Sequence, residues 1–268
     1  MKTLTVPLRN TFTVFCIALL YCLPSCTGKN DPAAGNPASL PHLFPEIVRT
    51  LPHDPDRFTQ GLCFEDNRLY QSAGLYQKST LSILDTAGAL LKIIAMPPAV
   101  FAEGCALLSG SLYQITWQEK VCFVYSLPDL ICTDTIAYSG EGWGLTENDT
   151  LFIMSNGSDT LFFRNKAFAT VKKVQVTCEG KPLEHLNELE YARNRVFANV
   201  WFSDFIFQIN PENGDVERIF DCSELVAREN PDSREQVLNG IACDPRSGLF
   251  YLTGKNWKNI FVVELPEG

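Results

Sequence analysis

The sequence contains few of the residues that form metal centres and catalytic triads. Only three of its 268 residues are histidines, His42, His53 and His185, and no two cysteines are spaced as C-x-x-C. Zinc sites require clustered ligands, and a serine or cysteine hydrolase requires a nucleophile beside a histidine base. The sequence therefore predicts no metal site, no cofactor and no hydrolase of this kind.

Basic residues are also fewer than acidic ones. There are 22 lysine and arginine residues against 31 aspartate and glutamate residues, and the formal net charge is -9 at pH 7. The basic residues form no stripe that would override this balance, which repels phosphate backbones and anionic lipids. We therefore do not expect nucleic acid as a partner.

The N-terminal apolar run is too short to span a bilayer comfortably. It extends from Phe12 to Leu23, whereas a membrane-spanning helix needs about 20 apolar residues. Because Lys2 and Arg9 precede this run, residues 1–25 are predicted to be a signal peptide. The run ends in Leu23-Pro24-Ser25-Cys26, which resembles the lipobox of bacterial lipoproteins.

This lipobox-like end implies that Cys26 is lipidated and becomes the mature N-terminus. The protein is then expected in the bacterial cell envelope, periplasmic or outer-membrane associated, and in contact with the membrane only through this lipid anchor. An ordinary cleaved signal peptide is the alternative. Residues 26–45 are rich in glycine, proline, asparagine and alanine, and they are predicted to form a flexible tether.

Seven further cysteines follow Cys26, an odd number. Three of them, Cys63, Cys105 and Cys243, lie in apolar strand-like runs and are predicted to be small buried core residues. Cys122 and Cys132 flank a predicted hairpin, and they are the one pair that we would test for a disulfide.

A two-strand phrase recurs five times along the chain. Each copy has a polar residue, usually a following glycine, an apolar stretch, a short turn and a second apolar–aromatic strand. The residue after the polar position is 61, 104, 144, 188 and 240, so the intervals are 43, 40, 44 and 52 residues. A period near 40 with short strands is typical of four-stranded propeller blades.

Residues 46–268 are therefore predicted to form one all-β domain, a five-bladed β-propeller with four-stranded antiparallel blades. Helical periodicity is weak except at Ser223 to Asn230, which is predicted to be a short helix in the longest interval. A propeller closes on itself, so we expect a monomer.

Equivalent positions of the five repeats carry polar and aromatic residues. In a propeller, equivalent inner-strand positions converge on one mouth of the central channel. Amides and indoles around a few charged groups are typical of a ligand pocket, although single amides can also serve only to satisfy backbone groups of neighbouring blades. The first strands supply Gln60, Glu103, Trp143, Asn187 and Asn239, and the ends of the second strands supply Gly74, Trp117, Asn156, Trp201 and Lys255.

Glu103 is the single acid among these ten positions. Its neighbours are apolar, with Phe101 on one side and the run Cys105-Ala106-Leu107-Leu108 on the other, so its pKa is predicted to be raised by burial. Such a carboxyl group can take and give a proton near neutral pH. Alternatively, a glutamate before a glycine is often a turn residue or half of a salt bridge.

Ten segments, in order and in all five repeats, resemble the plant-type glutaminyl-peptide cyclotransferases, also called glutamine cyclotransferases. The resemblance covers about residues 46 to 265, and the family fold is a five-bladed propeller, as the repeats independently predict. The segments are Pro52-His53-Asp54-Pro55, Phe58-Thr59-Gln60-Gly61-Leu62, Ser72-Ala73-Gly74-Leu75-Tyr76, Phe101-Ala102-Glu103-Gly104, Thr116-Trp117-Gln118-Glu119, Gly140-Glu141-Gly142-Trp143-Gly144-Leu145-Thr146, Leu186-Asn187-Glu188-Leu189-Glu190, Ala198-Asn199-Val200-Trp201, Val237-Leu238-Asn239-Gly240-Ile241 and Thr253-Gly254-Lys255-Asn256-Trp257.

The resemblance implies cyclisation of the N-terminal glutamine of a peptide or protein. The α-amine attacks the side-chain carboxamide, ammonia leaves and a pyroglutamyl peptide remains. By its position, Glu103 corresponds to the family's proton-shuttling glutamate, and Lys255 is a candidate for stabilising the developing negative charge. Substrate-binding roles are expected for Gln60, Trp117, Trp143, Asn187, Trp201 and Asn239.

The sequence departs from the family pattern at three positions. Gln71 stands where the family usually has glutamate, Ala73 replaces a common threonine, and Asn156 replaces an aspartate. These changes bear on rate, substrate preference or a metal near the axis. The alternative function is a non-catalytic propeller of the cell envelope, derived from such an enzyme, that binds a peptide or small ligand. Gln71 favours this alternative, whereas Glu103 and the three tryptophans favour the enzyme.

Overall fold

The computed structural model describes residues 40–267, which are mostly β-strands. The predicted signal peptide, Cys26 and residues 27–39 of the predicted tether lie outside the described residues. The one helix of the described part, α1, is Ser223–Glu229. In chain order the strands are β1 (His42–Leu43), β2 (Glu46–Pro52), β3 (Thr59–Glu65), β4 (Arg68–Ala73), β5 (Thr80–Asp85), β6 (Leu90–Ala95), β7 (Ala102–Leu108), β8 (Ser111–Thr116), β9 (Val121–Ser126), β10 (Ile131–Ala137), β11 (Leu145–Glu147), β12 (Phe152–Met154), β13 (Thr160–Arg164), β14 (Thr170–Gln175), β15 (Thr177–Cys178), β16 (Lys181–Pro182), β17 (Leu186–Ala192), β18 (Arg195–Val200), β19 (Phe205–Ile209), β20 (Val216–Asp221), β21 (Leu238–Cys243), β22 (Phe250–Gly254) and β23 (Asn259–Glu264).

Five antiparallel four-stranded blades follow one another along the chain. Blade 1 contains β3–β6, blade 2 contains β7–β10, blade 3 contains β11–β14 and blade 4 contains β17–β20. Blade 5 contains β21–β23 and, as its outermost strand, β2. The predicted five-bladed propeller with four-stranded antiparallel blades is confirmed.

The ring is closed by β2, which precedes blade 1 in the chain but belongs to blade 5. It pairs with β23 in an antiparallel register that runs from Glu46 opposite Glu264 to Pro52 opposite Asn259. The repeats do not predict this strand as the closure, because Glu46–Pro52 is not part of the repeated phrase.

Burial decreases from the inner to the outer strand of a blade. Every residue of β21 is buried, whereas most residues of β6 and β10 are exposed. Inner strands pack on neighbouring blades with both faces, so even polar residues of these strands, such as Asn187 and Glu188, are buried. Aromatic rings fill the space between blades, as where the Phe197 and Phe250 ring centroids lie 4.8 Å apart.

Two short elements lie beside the blades. His42 and Leu43 were predicted to belong to the tether, but they form β1, which pairs in parallel with β20. The helix α1 matches the predicted one, and its C-cap is Asn230, whose φ of 48° is left-handed. Within residues 40–267, no helix has the length and apolar character that a membrane crossing requires.

The cysteines follow the core prediction but not the disulfide candidate. Cys63, Cys105 and Cys243 are buried, as expected. Cys122 and Cys132 are free thiols, the first buried and the second exposed. They are not cross-strand partners in the β9–β10 pair, because Cys122 lies opposite Ile136 and Cys132 lies opposite Tyr125.

Candidate active site

Irregular strand pairing directs the first-strand side chains toward one end of the channel. A bulge places an extra residue in a strand and re-aims its side chain. Such shifts occur between Thr59 and Gly61, between Ala102 and Cys105, between Leu186 and Leu189 and between Leu238 and Ile241. The residues inside these shifts include Gln60, Glu103, Asn187 and Asn239. In blade 3, Trp143 and Gly144 immediately precede the short strand β11, which begins at Leu145.

The glycines after these positions allow adjacent inner strands to touch. A Cβ atom at Gly61 would lie 2.6 Å from the backbone nitrogen of Cys105, and a Cβ at Gly144 would collide with the carbonyl oxygen of Asn187. A residue with a side chain does not fit at such a contact. The inner strands therefore approach each other closely around the axis, which brings the preceding polar side chains together.

The fourth repeat has Glu188 where the others have glycine. Its side chain is fully buried, and its two oxygens accept hydrogen bonds from the backbone of Leu62 at 3.1 Å and of Ile241 at 2.8 Å. Leu62 and Ile241 each lie two residues after a predicted site amide. The Glu188 carboxyl group thus links blades 1, 4 and 5 beside the pocket.

A cavity of about 210 Å³ lies where these side chains meet. Seven of the ten converging positions line it. Four further residues complete the lining: Phe58, Leu75, Phe101 and Glu235. The seven predicted lining residues are Gln60, Glu103, Trp117, Trp143, Asn187, Trp201 and Lys255.

The other three converging positions lie outside the lining. Gly74 makes room for Phe101, whose ring would be 2.5 Å from a Cβ at this position. The side-chain oxygen of Asn156 accepts hydrogen bonds from the backbone and hydroxyl of Ser158 within a turn. Asn239 is fully buried behind Gln60, so the structure does not place it in contact with a ligand in this cavity.

Asn239 instead orients the Gln60 amide. Its Nδ2 donates to Gln60 Oε1 at 3.3 Å and to the backbone oxygen of Thr59 at 2.9 Å. With its oxygen held in this way, the Gln60 amide turns its NH2 group to Glu103, and this hydrogen bond acts to lower the pKa of that carboxyl group. Asn187 also lines the cavity, and within residues 40–267 its side-chain amide makes no hydrogen bond.

Glu103 is 4% exposed, and its Oε2 has no hydrogen-bond partner among the described residues. Burial raises the pKa of this carboxyl group well above its ordinary value. The positive charge of Lys255 and the amide of Gln60 act in the opposite direction, while the negative charges of Glu119 and Glu141 add to the increase. A carboxyl group in this state can exchange a proton near neutral pH.

Lys255 is the cation of the cavity and is 4% exposed. Its Nζ lies 4.8 Å from the centroid of the Phe58 ring and 5.9 Å from that of Trp201. Burial lowers the pKa of the Lys255 ammonium, and the charges of Glu103 and Glu235 partly offset this effect. The Glu103 pKa is raised and the Lys255 pKa is lowered, so the two values approach each other. This reduces the free-energy cost of moving a proton within the pocket.

The N–H groups of the three tryptophans that line the cavity differ in their hydrogen bonds. Trp117 Nε1 donates to Glu141 Oε2 at 2.9 Å, and Trp143 Nε1 approaches the same oxygen at 3.4 Å. Trp201 Nε1 is buried and has no partner among the described residues. Trp201 is therefore the wall residue whose N–H can bind a substrate oxygen.

Several site residues could not be found by comparing repeats. Glu235 lies in the segment between α1 and β21, which has no equivalent in the other repeats. Phe58 precedes Gln60 by two residues, and its backbone pairs with Lys255. The only sequence signal for Phe58 and Leu75 is their position inside segments that resemble the family.

Gln71 is bonded within the contact between blades 1 and 5, and it does not line the cavity. Its Nε2 lies 2.6 Å from His53 Nε2 and 3.0 Å from Thr59 Oγ1. His53 Nδ1 lies 2.6 Å from the backbone oxygen of Trp257 and must donate to it. His53 Nε2 is then the acceptor for Gln71, so the His53 ring is in its neutral form. Burial also lowers the pKa of this imidazole.

The described residues contain no group of three or more His, Cys, Asp and Glu side chains arranged to hold a metal ion. A larger cavity of about 580 Å³ opens at the other end of the inner strands. Its lining includes Glu65, Glu147, Glu190 and Arg193 but none of the ten converging positions. Among the described residues that have a buried polar atom without a partner, Glu103 and Trp201 line the smaller cavity and none lines the larger one.

The smaller cavity combines four chemical functions. A carboxyl group with a raised pKa can move a proton, a buried ammonium can stabilise negative charge, amides can orient a polar substrate, and indole walls exclude water. Among residues 40–267, no hydroxyl or thiol group lines this cavity. The arrangement suits proton transfer and charge stabilisation on one bound molecule.

Comparison with known proteins gives a consistent result. The model of the glutamine cyclotransferase family matches residues 17–265. The chain is 34% identical over 243 residues to a glutaminyl-peptide cyclotransferase of Arabidopsis thaliana, covering 88% of this chain and 76% of the relative. It also resembles the crystal structure of Myxococcus xanthus glutaminyl cyclase, with a TM-score of 0.80, 36% identity, and coverage of 84% of this chain and 97% of that one.

Proposed function

Because the chain belongs to the glutamine cyclotransferase family, we propose that it converts the N-terminal glutamine of peptides or proteins to pyroglutamate. The reaction is an intramolecular acyl transfer that releases ammonia. The observation that carries the proposal is the Glu103 carboxyl group, buried in an aromatic pocket with one oxygen free of hydrogen bonds.

Glu103 moves the proton that the reaction requires. The substrate α-nitrogen attacks the γ-carbonyl carbon, a C–N bond forms, and the nitrogen must lose a proton. The Glu103 carboxylate takes this proton and then delivers it to the side-chain nitrogen as the second C–N bond breaks. Ammonia leaves, Glu103 is again a carboxylate, and no covalent enzyme intermediate forms.

Other lining residues act on the carbonyl oxygen, where negative charge develops. The free Trp201 N–H, the Asn187 amide and the Lys255 ammonium are donors on the wall of the same cavity. Fixed donors of this kind contribute more in a buried site than in water. Gln60 and the indoles of Trp117 and Trp143 then hold the folded glutaminyl side chain.

The cavity is suited to the end of a chain. Its volume of about 210 Å³ is below the ~300–1,000 Å³ of pockets for drug-sized ligands. A single terminal residue can enter while the rest of the peptide stays outside. This arrangement favours peptides of varied length that share an N-terminal glutamine.

The test is ammonia release from a dipeptide that begins with glutamine, measured with purified protein over a range of pH from about 6 to 9. We expect ammonia and a cyclised product in equal amounts. The same dipeptide with an acetylated amine should release none, because the nucleophile is blocked. Folded protein that releases no ammonia above background from the free dipeptide would contradict the proposal.

Replacing Glu103 with glutamine tests the assigned proton transfer. The substitution preserves the shape of the side chain and removes the proton acceptor. We expect turnover to fall by roughly 10²–10⁴-fold, the usual contribution of general acid–base catalysis. Wild-type turnover in Glu103→Gln would show that another group moves the proton.

A further inference from the structure

The aromatic residues in and next to the pocket form two separate groups. In the first group, Phe101 contacts Tyr76 and Trp117, with ring centroids 5.4 and 5.7 Å apart. In the second group, Trp201 contacts Trp143 and Phe202, with centroids 5.6 and 4.5 Å apart. Among residues 40–267, no ring-to-ring contact joins the two groups.

Glu141 lies where the two groups meet. Its Oε2 accepts the hydrogen bond of Trp117 Nε1 at 2.9 Å and lies 3.4 Å from Trp143 Nε1. The chain around it is fixed, because the Gly142 backbone nitrogen donates to the Trp117 carbonyl oxygen at 3.3 Å. Glu141 itself is half-buried and does not line the cavity.

We propose that Glu141 is a positioning residue, which holds the Trp117 and Trp143 indoles at a fixed separation and so sets the width of the pocket. This inference rests on the proposed function. A charged acceptor shared by two N–H groups is a strong constraint on ring orientation, since hydrogen bonds to ionised groups are roughly twice as strong as neutral ones.

The hydrogen bonds to Glu141 also give the three indoles different roles. With their N–H groups bound to Glu141, Trp117 and Trp143 present apolar faces and edges to the substrate. Trp201 keeps its N–H for a substrate oxygen. Glu141 therefore determines which indole is a donor and which ones are walls.

Glu141 acts on Glu103 through its charge as well. The groups that act on Glu103 are Lys255 and the Gln60 amide, which lower its pKa, and Glu119 and Glu141, which raise it. Loss of the negative charge at position 141 lowers the Glu103 pKa. The acid limb of the activity profile should then move to lower pH.

The experiment compares Glu141→Ala and Glu141→Gln with the wild type, by near-ultraviolet circular dichroism and by steady-state kinetics. Alanine removes both indole bonds, so we expect an altered aromatic signal and a KM for the dipeptide raised about 10-fold, with kcat within about 3-fold. Glutamine keeps one acceptor oxygen, so it should restore part of both signals.

Glu119→Gln is the matched control. Glu119 accepts hydrogen bonds from the Tyr76 hydroxyl at 3.0 Å and the Phe101 backbone at 3.3 Å, but from no indole. Like Glu141→Gln, it should move the acid limb to lower pH, because both carboxylates act on Glu103. Unlike Glu141→Ala, it should leave the indole dichroism unchanged.

An unaltered aromatic signal and KM in Glu141→Ala would overturn the proposal. A lower melting temperature with an unchanged KM would also overturn it, because that result indicates a purely structural residue. If the wild type releases no ammonia, the proposed function fails, whereas the dichroism of the variants still decides whether Glu141 holds the indoles.

Discussion

Three of the four buried glutamates among residues 40–267, Glu103, Glu188 and Glu190, differ in how their oxygens are bound. Burial raises the pKa of each carboxyl group. Both oxygens of Glu188 accept backbone hydrogen bonds, and one oxygen of Glu190 accepts the backbone N–H of Cys243 at 2.9 Å. Glu103 alone among them combines a pocket position with an unbound buried oxygen. The hydrogen bonds, more than the burial, identify which acid is able to react.

Glu190 makes the stability of the fold depend on pH. Burial raises the pKa of this carboxyl group from 4.5 to about 8, so in this interval the unfolded chain loses a proton that the folded chain keeps. Stability from this group is complete below about pH 4.5 and is lost as pH rises through about 8. Relative to Glu190→Gln, the free energy of unfolding of the wild type should fall by on the order of a few kcal/mol across this pH range.

Urea unfolding of both proteins at about pH 5, 7 and 9 measures this difference. Glutamine can accept the same Cys243 hydrogen bond, so the comparison isolates the charge. The exposed Glu264→Gln serves as the control and should show no such trend. A difference between Glu190→Gln and wild type that stays constant with pH would contradict the assignment.

Residue-level prediction from sequence succeeded where a position recurs in the repeats and was incomplete elsewhere. Gln60 and Glu103 were predicted to converge because each occupies the same place in its repeat, and both line the cavity. Asn239 occupies that place too, but its side chain bonds to Gln60 and is displaced from the cavity. Glu141 and Glu235 lie in turns and insertions, whose folding depends on tertiary contacts that no period reveals.

The strand bulges and the glycines that follow them act together as one element. The bulge directs one side chain into the pocket, and the glycine allows the next inner strand to lie against it. Blade 3 has no such bulge between β11 and β12. It has the closest glycine contact of the inner strands, because a Cβ at Gly144 would collide with the backbone of Asn187 and Glu188. The glycines thereby fix the distances between pocket residues of different blades.

Gly144→Ala should therefore reduce both stability and substrate binding. The added methyl group must displace the Asn187 backbone, which costs about 1–3 kcal/mol as overpacking, and it moves an amide that lines the pocket. Urea unfolding and the KM of the dipeptide measure the two effects. The control Gly110→Ala has open space around its Cβ but a φ of +77°, so it should cost about 1 kcal/mol without changing KM. Equal KM values in the two variants would contradict this role of Gly144.

For the molecule as a whole, the number of blades followed from the repeat period, but the way in which the ring closes did not. A strand is recognised in a repeat search only if it recurs. Glu46–Pro52 fills the outer position that β6, β10, β14 and β20 fill in the other blades, yet it precedes the first repeat. Its assignment required the pairing with β23, which connects residues more than 200 positions apart.

Removal of this closing strand should destabilise the whole propeller. A protein that begins at His53 leaves the edge of β23 unpaired. It also lacks Leu51, which is buried in an apolar cluster, so the side chains that Leu51 covers become exposed. Compared with a protein that begins at Leu40, we expect a melting temperature lower by about 10 °C or more. Thermal unfolding followed by circular dichroism tests this, and equal melting temperatures would show that three strands suffice for blade 5.

The β2–β23 pair also brings the two ends of the ring together, since Glu46 lies opposite Glu264. A short linker could join these ends, and new termini could be opened in an exposed turn between other strands. Such a circular permutant would have its blades in a different order along the chain but would bring the same inner strands to the same mouth. The pocket depends on the closed cycle of blades, and not on where along that cycle translation begins.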